Sequence, residues 1–185
     1  MNYKDNMIIN RLPGTLKLNM EIIDKNVTKK PRNDERIVVR GIVFKDNKLL
    51  VVFPKDENVY GTPGGGVDPG ETLEVALRRE LKEEVGAEKI NIIEYIGKMS
   101  SLRKGMYDDN TYTPLHHYYL VDILEYGSQD LVEYEQEIGL DFGFVDIDEI
   151  INTNEKSLGK REQEYLDFYT NQQTIIKELK SIYKK

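Results

Sequence analysis

The stretch Gly65–Ala87, GGVDPGETLEVALRRELKEEVGA, joins a glycine-rich turn to a charged segment that ends at another glycine. Thr72 is a suitable N-cap, and Glu74 lies in the first turn, where the helix dipole favours negative charge. Gly86 can adopt the left-handed conformation that ends many helices. The stretch therefore predicts a helix over residues 73–85, after a turn whose glycines permit close backbone approach to a ligand.

The predicted helix carries carboxylates on its apolar face. That face is formed by Leu73, Ala76, Leu77, Leu81 and Val85. At about 100° per residue, Glu80 and Glu84 fall within this stripe, and Glu83 lies on its edge. A run of glutamates usually marks a solvated face, but here the opposite face carries Val75, Arg78 and Lys82. Because carboxylates are rarely buried without a partner, the pattern indicates a functional site.

Three carboxylates at this spacing indicate a metal site. Residues at i, i+3 and i+4 lie roughly 5–6 Å apart on a helix, so at least one pKa should rise unless positive charge is near. A nearby arginine or a hard cation would relieve the repulsion. Oxygen ligands without His or Cys favour Mg²⁺ or Mn²⁺ over zinc. We therefore expect a divalent cation that acts on phosphate oxygens.

The stretch resembles the Nudix box of the Nudix hydrolases. That box reads glycine, five residues, Glu, seven residues, Arg-Glu, an aliphatic residue, any residue, Glu-Glu, any residue, Gly and an aliphatic residue. The matching positions are Gly65, Glu71, Arg79, Glu80, Leu81, Glu83, Glu84, Gly86 and Ala87. Seven fixed positions would coincide by chance on the order of once in 10⁸ windows. Ala87 is smaller than the usual aliphatic residue, a difference that leaves the chemistry unchanged.

The resemblance implies an α/β structure with the Nudix fold, an α/β/α sandwich with a mixed central sheet. The implied metal ligands are the side chains of Glu80, Glu83 and Glu84 and the carbonyl of Gly64. Glu71 and Arg79 would form a structural pair that orients the loop. Gly65 and Gly86 would be structural positions in the site. Glu83, Glu84 and Arg79 are thus the expected catalytic positions within the box.

The reaction implied is metal-dependent hydrolysis of a diphosphate linkage in a nucleoside diphosphate derivative. A metal-bound water would attack phosphorus, with a carboxylate as base. The base is a box glutamate or one in the acidic segment 130–137, which offers Glu133, Glu135 and Glu137; we expect Glu137, just before a predicted strand. The alternative is that the acidic segment 130–137 is only a solvated loop. At the level of function, the alternative is a catalytically silent Nudix-fold module that binds nucleotides or regulates.

Candidate substrate contacts lie outside the box. Arg40 and Arg103 are expected to meet phosphates, and Tyr107 is expected to stack on a base or sugar. For each, an ordinary core or surface role is the alternative. The ligand expected is a small nucleotide derivative. No nucleic acid is expected, although a capped RNA end stays open.

The chain divides into three predicted parts. Residues 1–35 form an N-terminal extension in which Leu16, Leu18, Met20 and Ile22 alternate as in a strand. Residues 36–155 form the Nudix domain, with a hairpin predicted around an Asp-Asn turn. Residues 156–185 contain a final helix. Its stripe comprises Tyr165, Phe168, Tyr169, Gln172, Ile176, Leu179 and Tyr183. We expect this stripe to dock on its own domain, and the alternative is that it forms the contact of a homodimer.

Composition narrows the class of protein. The net charge of −7 argues against broad nucleic-acid binding. With no cysteine, neither disulfides nor a thiolate site can form. No apolar run approaches the ~18 residues of a membrane span, and the amino terminus lacks the pattern of a signal peptide. We therefore expect a cytoplasmic protein without a membrane partner.

Overall fold

The computed structural model describes residues 7–25, 36–104, 111–158 and 163–183. The strands are β1 (Met7–Arg11), β2 (Leu18–Asp24), β3 (Ile37–Ile42), β4 (Phe44–Lys45), β5 (Lys48–Pro54), β6 (Ala87–Lys104), β7 (Thr111–Tyr112), β8 (Leu115–Tyr126) and β9 (Leu140–Asp146). The helices are α1 (Leu73–Val85), α2 (Glu133–Glu137), α3 (Ile147–Leu158) and α4 (Gln163–Tyr183). The predicted strand of the N-terminal extension is confirmed as β2, and β1 pairs with it.

The strands form a mixed sheet and a smaller antiparallel one. The mixed sheet has the order β1-β2-β6-β8-β3, with β7 pairing to β6 at its side. β2 is parallel to β6 and β3 is parallel to β8, whereas β6 and β8 are antiparallel. The second sheet has the order β4-β5-β9. The predicted α/β architecture with a mixed sheet is therefore confirmed.

The first predicted hairpin is split between the two sheets. Asp46 and Asn47 have the positive φ angles of the expected turn, 49° and 62°. Only β4 and β5 form the hairpin around it. β3 instead pairs with β8 in the mixed sheet. The chain changes sheets after Ile42, and Val43 accepts a hydrogen bond from the N–H of Leu50.

Helices cover opposite faces of the strands. α1 buries Leu77, Leu81 and Val85 in a cluster that includes Val39 and Val43 of the β3 region. Since side chains alternate along a strand, Ile42 faces the other way. There it packs in a second cluster with residues of α3 and α4, including Ile150, Ile175, Ile176 and Leu179. Each fully buried aliphatic side chain contributes roughly 1.5–3 kcal/mol.

The prediction for α1 is confirmed at both ends and on both faces. Thr72 accepts a hydrogen bond from the Val75 N–H at 3.3 Å. Gly86 has a left-handed conformation with φ 67°. Glu80 and Glu84 are buried, as the helical projection requires. The local sequence therefore places two carboxylates inside the protein.

α4 packs on its own chain. Ile176 and Leu179 of its predicted apolar stripe are fully buried against the core. Gln173 Nε2 donates to the carbonyl of Ile151 on α3 at 2.9 Å, and Lys177 pairs with Glu155 at 2.5 Å. α3 and α4 thus form one helical layer. Among the described residues, no helix is both long and apolar enough to cross a membrane.

Candidate active site

The segment from Tyr60 to Val67 leads into α1 and is extended along the edge of β3. Each of its odd-numbered residues is hydrogen-bonded to the backbone of a strand residue, of β5 for Gly61 and of β3 for the others. The pairs are Gly61 with Val52, Pro63 with Gly41, Gly65 with Val39 and Val67 with Ile37. This alternation is that of an added strand. The even-numbered residues therefore present their backbone groups to side chains.

Side chains from four parts of the chain satisfy those even-numbered residues. Tyr60 is held by Asn154, and Thr62 by Gln172 and Arg40. Gly64 is held by Glu84 and Arg40, and Gly66 by Arg79. Because these groups are buried or half-buried, leaving one unpaired would be costly. The segment is thus fixed residue by residue, and it ends against the carboxylates of α1.

Gly64 lies at the centre of the site. Its N–H donates to Glu84 Oε2 at 2.5 Å, and its carbonyl accepts a hydrogen bond from Arg40 Nη1. Gly64 has φ 129°, and a Cβ there would lie 2.2 Å from the Val39 carbonyl oxygen. Both facts require glycine. The residues Gly64 and Glu84 are therefore brought together through the Gly64 N–H, while the Gly64 carbonyl, the expected ligand atom, is held by Arg40.

Gly65 is required for a different reason. A Cβ at this position would lie 2.4 Å from Glu80 Oε2. The glycine lets the Glu80 carboxylate reach the backbone of the loop. The three expected ligands Gly64, Glu80 and Glu84 thus meet where the loop crosses α1.

Arg79 connects the loop to the carboxylates. Its Nε and Nη2 donate to the two carboxylate oxygens of Glu71, each at 2.9 Å, and Nη2 also donates to the Gly66 carbonyl. Its Nη1 lies 2.8 Å from Glu80 Oε1 and 3.1 Å from Glu83 Oε2. The planar guanidinium group matches this fork of acceptors, which a lysine would not.

The electrostatics of the site differ sharply between its glutamates. Burial raises the pKa of Glu84 to about 8, although the charge of Arg40 and the hydrogen bond from the Gly64 N–H both lower it. Burial also raises the pKa of Glu80, although Arg79 opposes it. Hydrogen bonds from Arg79 instead lower the pKa of Glu71 to about 2. Glu71 is therefore a fixed anion, whereas Glu80 and Glu84 lack sufficient compensating positive charge.

The donor set fits a hard divalent cation in its chemistry. Carboxylates and a backbone carbonyl are the oxygen ligands that Mg²⁺ and Mn²⁺ prefer. Within the described ranges, no three His, Cys, Asp or Glu side chains already converge as a metal cage. The reason lies in the contacts above, since Arg79 holds Glu80 and Glu83 while Glu84 is turned to the Gly64 N–H.

The acidic segment before β9 is docked on the end of α1. Gln129 Nε2 donates to the Glu84 carbonyl at 2.6 Å, and the Asp130 N–H donates to the Glu83 carbonyl at 3.0 Å. The half-buried residue of α2 is Glu135. Desolvation raises the pKa of Glu135, and the charge of Glu83 raises it further. The hydrogen bond from the Val132 N–H lowers this pKa but does not offset the rise.

Glu137, the base expected from the sequence, lies on another side of α2. Residues two positions apart on a helix point about 200° apart. Glu137 and Glu133 are accordingly exposed, whereas Glu135 is half-buried. Glu135 also contributes to the raised pKa of Glu84. Among the interactions described, Glu135 is thus the residue of α2 whose charge acts on Glu83 and Glu84.

The expected substrate residues have different locations. Arg40 is buried, and its Nη1 donates to the Thr62 carbonyl at 2.9 Å as well as to Gly64. Its contacts therefore fit a role in holding the loop rather than an exposed phosphate contact. Arg103 lies on β6, but its side chain is outside the described part of the structure, as is the whole of Tyr107.

Two residues that hold the loop, Asn154 and Gln172, were not among the site residues predicted from the sequence. Asn154 is fully buried and makes two hydrogen bonds with the backbone of Tyr60, at 2.8 and 2.9 Å. Gln172 is buried against Thr62. The available signal for Gln172 was an amide inside the apolar stripe of α4. Asn154 gave no such signal, because asparagine is common on exposed helix faces.

Comparison with known protein families confirms the family that the sequence predicts. A NUDIX domain model matches residues 34–169, well over half of the chain. The chain belongs to the Nudix family. The match extends beyond the box to most of the described strands and to α1, α2 and α3.

Individual relatives of this Nudix protein are similar over shorter stretches. An ADP-ribose pyrophosphatase of Methanocaldococcus jannaschii is 45% identical over 53 residues, which cover 27% of this chain and 31% of the relative. A nucleoside triphosphatase NudI of Enterobacter sp. strain 638 is 32% identical over 93 residues, covering 47% and 66%. The matched part is therefore less than two thirds of either relative. A solved structure, the NUDIX hydrolase from Nitrosomonas europaea, has 17% identity and a TM-score of 0.49, covering 77% of this chain and 90% of that one.

Proposed function

We propose that this Nudix protein hydrolyses a diphosphate linkage in a nucleoside diphosphate derivative, converting NDP-X and water to NMP and P-X. The observation that carries the proposal is the burial of Glu80 and Glu84 beside Gly64 and Gly65, where desolvation raises the pKa of both carboxyls. Perturbed carboxylates grouped in this way are typical of functional sites. A purely structural cluster would gain stability from apolar side chains instead.

The side chains of this cluster favour cation binding. The guanidinium groups of Arg40 and Arg79 face the carboxylates of Glu71, Glu80, Glu83 and Glu84, which leaves an excess of negative charge. We propose that Glu80, Glu83, Glu84 and the Gly64 carbonyl hold Mg²⁺ or Mn²⁺. When bound, such an ion neutralises charge on the diphosphate and acidifies a water molecule.

The remaining residues would orient the reaction and move its proton. Arg79, fixed by Glu71, would keep Glu80 and Glu83 in place beside the loop. We propose Glu135 as the general base, in place of Glu137, because Glu135 is coupled electrostatically to Glu83 and Glu84. Its raised pKa suits proton abstraction near neutral pH. The oxygen of water would bond to phosphorus as the P–O bond of the anhydride breaks, and the water proton would pass to Glu135.

The names of the relatives support the reaction class and leave the substrate open. The proteins of Methanocaldococcus jannaschii and Enterobacter are an ADP-ribose pyrophosphatase and a nucleoside triphosphatase, and a relative in Campylobacter jejuni is an RNA pyrophosphohydrolase. All three names describe cleavage at phosphoanhydrides. The cytoplasmic location, the homodimer and the absence of nucleic-acid binding stay predictions.

A substrate screen tests the proposal. Nucleoside triphosphates, NDP-sugars, ADP-ribose, dinucleotides and capped RNA ends would each be incubated with Mg²⁺ and with Mn²⁺, and nucleotide products would be separated by chromatography. We expect turnover of at least one nucleoside diphosphate derivative. Glu84→Gln should abolish it, while Glu74→Gln, an exposed position on the same helix, should not.

Binding measurements distinguish the enzyme from a silent module. The paramagnetic resonance signal of free Mn²⁺ decreases as the protein binds the ion. It therefore measures binding without any need for turnover. Mn²⁺ binding without turnover of any substrate would favour a nucleotide-binding or regulatory module. If Glu84→Gln binds Mn²⁺ and turns over substrate as the wild type does, the proposed site is refuted.

A further inference from the structure

We infer that Gln172 on α4 is a positioning residue for the candidate metal site, acting through Thr62 on the carbonyl of Gly64. This inference rests on the proposed function, since Gly64 is a proposed ligand. Gln172 lies beyond residue 169, where the match to the NUDIX domain ends. Gln172 is therefore a residue of this chain outside the matched domain.

The contact between Gln172 and Thr62 is buried and double. Gln172 Oε1 accepts hydrogen bonds from the Thr62 N–H at 3.0 Å and from Thr62 Oγ1 at 2.9 Å. The two residues are 1% and 0% exposed. Water cannot replace a lost partner at such a position without a local opening. Removal of the Gln172 oxygen would therefore leave two buried donors to find new acceptors.

The same segment transmits the position of Thr62 to Gly64. Arg40 Nη1 donates to both the Thr62 and the Gly64 carbonyls. Between them, Pro63 has a φ angle fixed by its ring, and its carbonyl accepts a hydrogen bond from the Gly41 N–H at 2.9 Å. A shift of Thr62 thus moves Gly64 through a short and stiff connection.

Gln172 acts from a rigid platform. α4 packs against α3, which carries Asn154, and Asn154 holds Tyr60. Ion pairs between Lys177 and Glu155 and between Lys180 and Asp148 join the two helices further, each at 2.5 Å. The helical layer therefore brings two amides onto one side of the loop, at residues 60 and 62.

The alternative is that Gln172 only contributes to stability. Gln173 provides a matched control for that case. It is buried on the same helix and makes a hydrogen bond to backbone, but its contact is with α3 and not with the loop. Gln172→Leu and Gln173→Leu should therefore lower the melting temperature by similar amounts. Only Gln172→Leu should change the metal site.

The test measures Mn²⁺ affinity by the free-ion resonance signal, together with kcat and KM and thermal melting. We expect Gln172→Leu to weaken Mn²⁺ binding roughly tenfold, as loss of an outer-shell partner does, and to lower kcat more than it changes KM. Gln172→Glu keeps an acceptor oxygen and should restore most of the affinity. Gln173→Leu should bind Mn²⁺ as the wild type does.

A second variant keeps the test valid if Gln172→Leu does not fold. Thr62→Val removes one of the two hydrogen bonds with little change of shape, and we expect Mn²⁺ affinity to fall by roughly threefold. If Mn²⁺ affinity is unchanged in the Gln172 and Thr62 variants, or if Gln173→Leu weakens Mn²⁺ binding as much as Gln172→Leu does, the inference about Gln172 is overturned. The proposed function is not affected by either result. A wild-type protein that binds no Mn²⁺ overturns the proposed function as well.

Discussion

The backbone N–H of Gly64 donates a hydrogen bond to the carboxylate of Glu84 at 2.5 Å. The pair joins a loop residue that requires glycine to a buried helix residue twenty positions later. The bond lowers the pKa of Glu84, but burial outweighs it and raises that pKa to about 8. The bond therefore fixes the Glu84 carboxylate against the loop, although burial disfavours its charged form.

Gly65→Ala should damage the site with little loss of stability. The new Cβ would lie 2.4 Å from Glu80 Oε2, so the flexible carboxylate must move. We expect kcat/KM to fall roughly 100-fold, the scale of a misplacement of about 1 Å. Gly143→Ala, whose Cβ would meet only Phe53 Cε1 at 3.9 Å, serves as control. Unaltered kinetics in Gly65→Ala would show that Glu80 is not a ligand in its present position.

Arg79→Lys should weaken both the fold and the metal site. A lysine cannot bind Glu71 with two parallel bonds while also reaching Gly66, Glu80 and Glu83. We expect a loss of about 2 kcal/mol in the free energy of unfolding and a roughly tenfold loss of Mn²⁺ affinity. Urea denaturation and the free Mn²⁺ signal measure these quantities.

The adjacent position provides the control for that variant. Arg78 donates only to the Ile90 carbonyl among the contacts described, at 3.1 Å, and is exposed. Arg78→Lys should therefore be close to wild type in both measurements. Equal effects of the two lysine variants would mean that Arg79 acts only as a positive charge on the helix.

The contribution of Glu71 to stability should depend on pH. Arg79 lowers the pKa of Glu71 from 4.5 to about 2, so between those values the unfolded chain binds more protons at this residue than the folded protein. The stabilisation is therefore complete above about pH 4.5 and is lost as the pH falls towards 2. The gap in urea midpoint between wild type and Glu71→Gln should narrow over that range.

A surface glutamate allows this pH effect to be isolated. Glu88 pairs with Lys82 at 3.2 Å with both side chains substantially exposed. Glu88→Gln should change the urea midpoint little at any pH, because exposed ion pairs contribute little. A constant gap for Glu71→Gln between pH 7 and pH 3 would contradict the strong pairing with Arg79.

Substitutions on α2 should separate the two candidate bases. Glu135→Gln is expected to lower kcat by roughly 10²- to 10⁴-fold, the usual contribution of a general base, and to remove the acidic limb of the pH–rate profile. Glu137→Gln should leave kcat unchanged, since Glu137 is exposed on another side of the helix. A larger loss of kcat in Glu137→Gln than in Glu135→Gln would instead support Glu137 as the general base, as expected from the sequence.

The helix of the box could be predicted in full because its determinants are local. The cap at Thr72, the left-handed Gly86 and the 3.6-residue period that buries Glu80 and Glu84 all lie within one short stretch. The alternation of β2 was readable for the same reason. By contrast, α2 is only one turn long, and a segment of that length gives no period from which to choose between Glu135 and Glu137.

The sequence by itself thus determined the family, the helix and the carboxylates that it buries, since capping and periodicity act between near neighbours. Only the tertiary structure decided what holds the loop that faces those carboxylates. Asn154 and Gln172 meet Tyr60 and Thr62 across 94 and 110 positions of the chain. Such contacts follow from the packing of α3 and α4 over the strands, which no local pattern encodes.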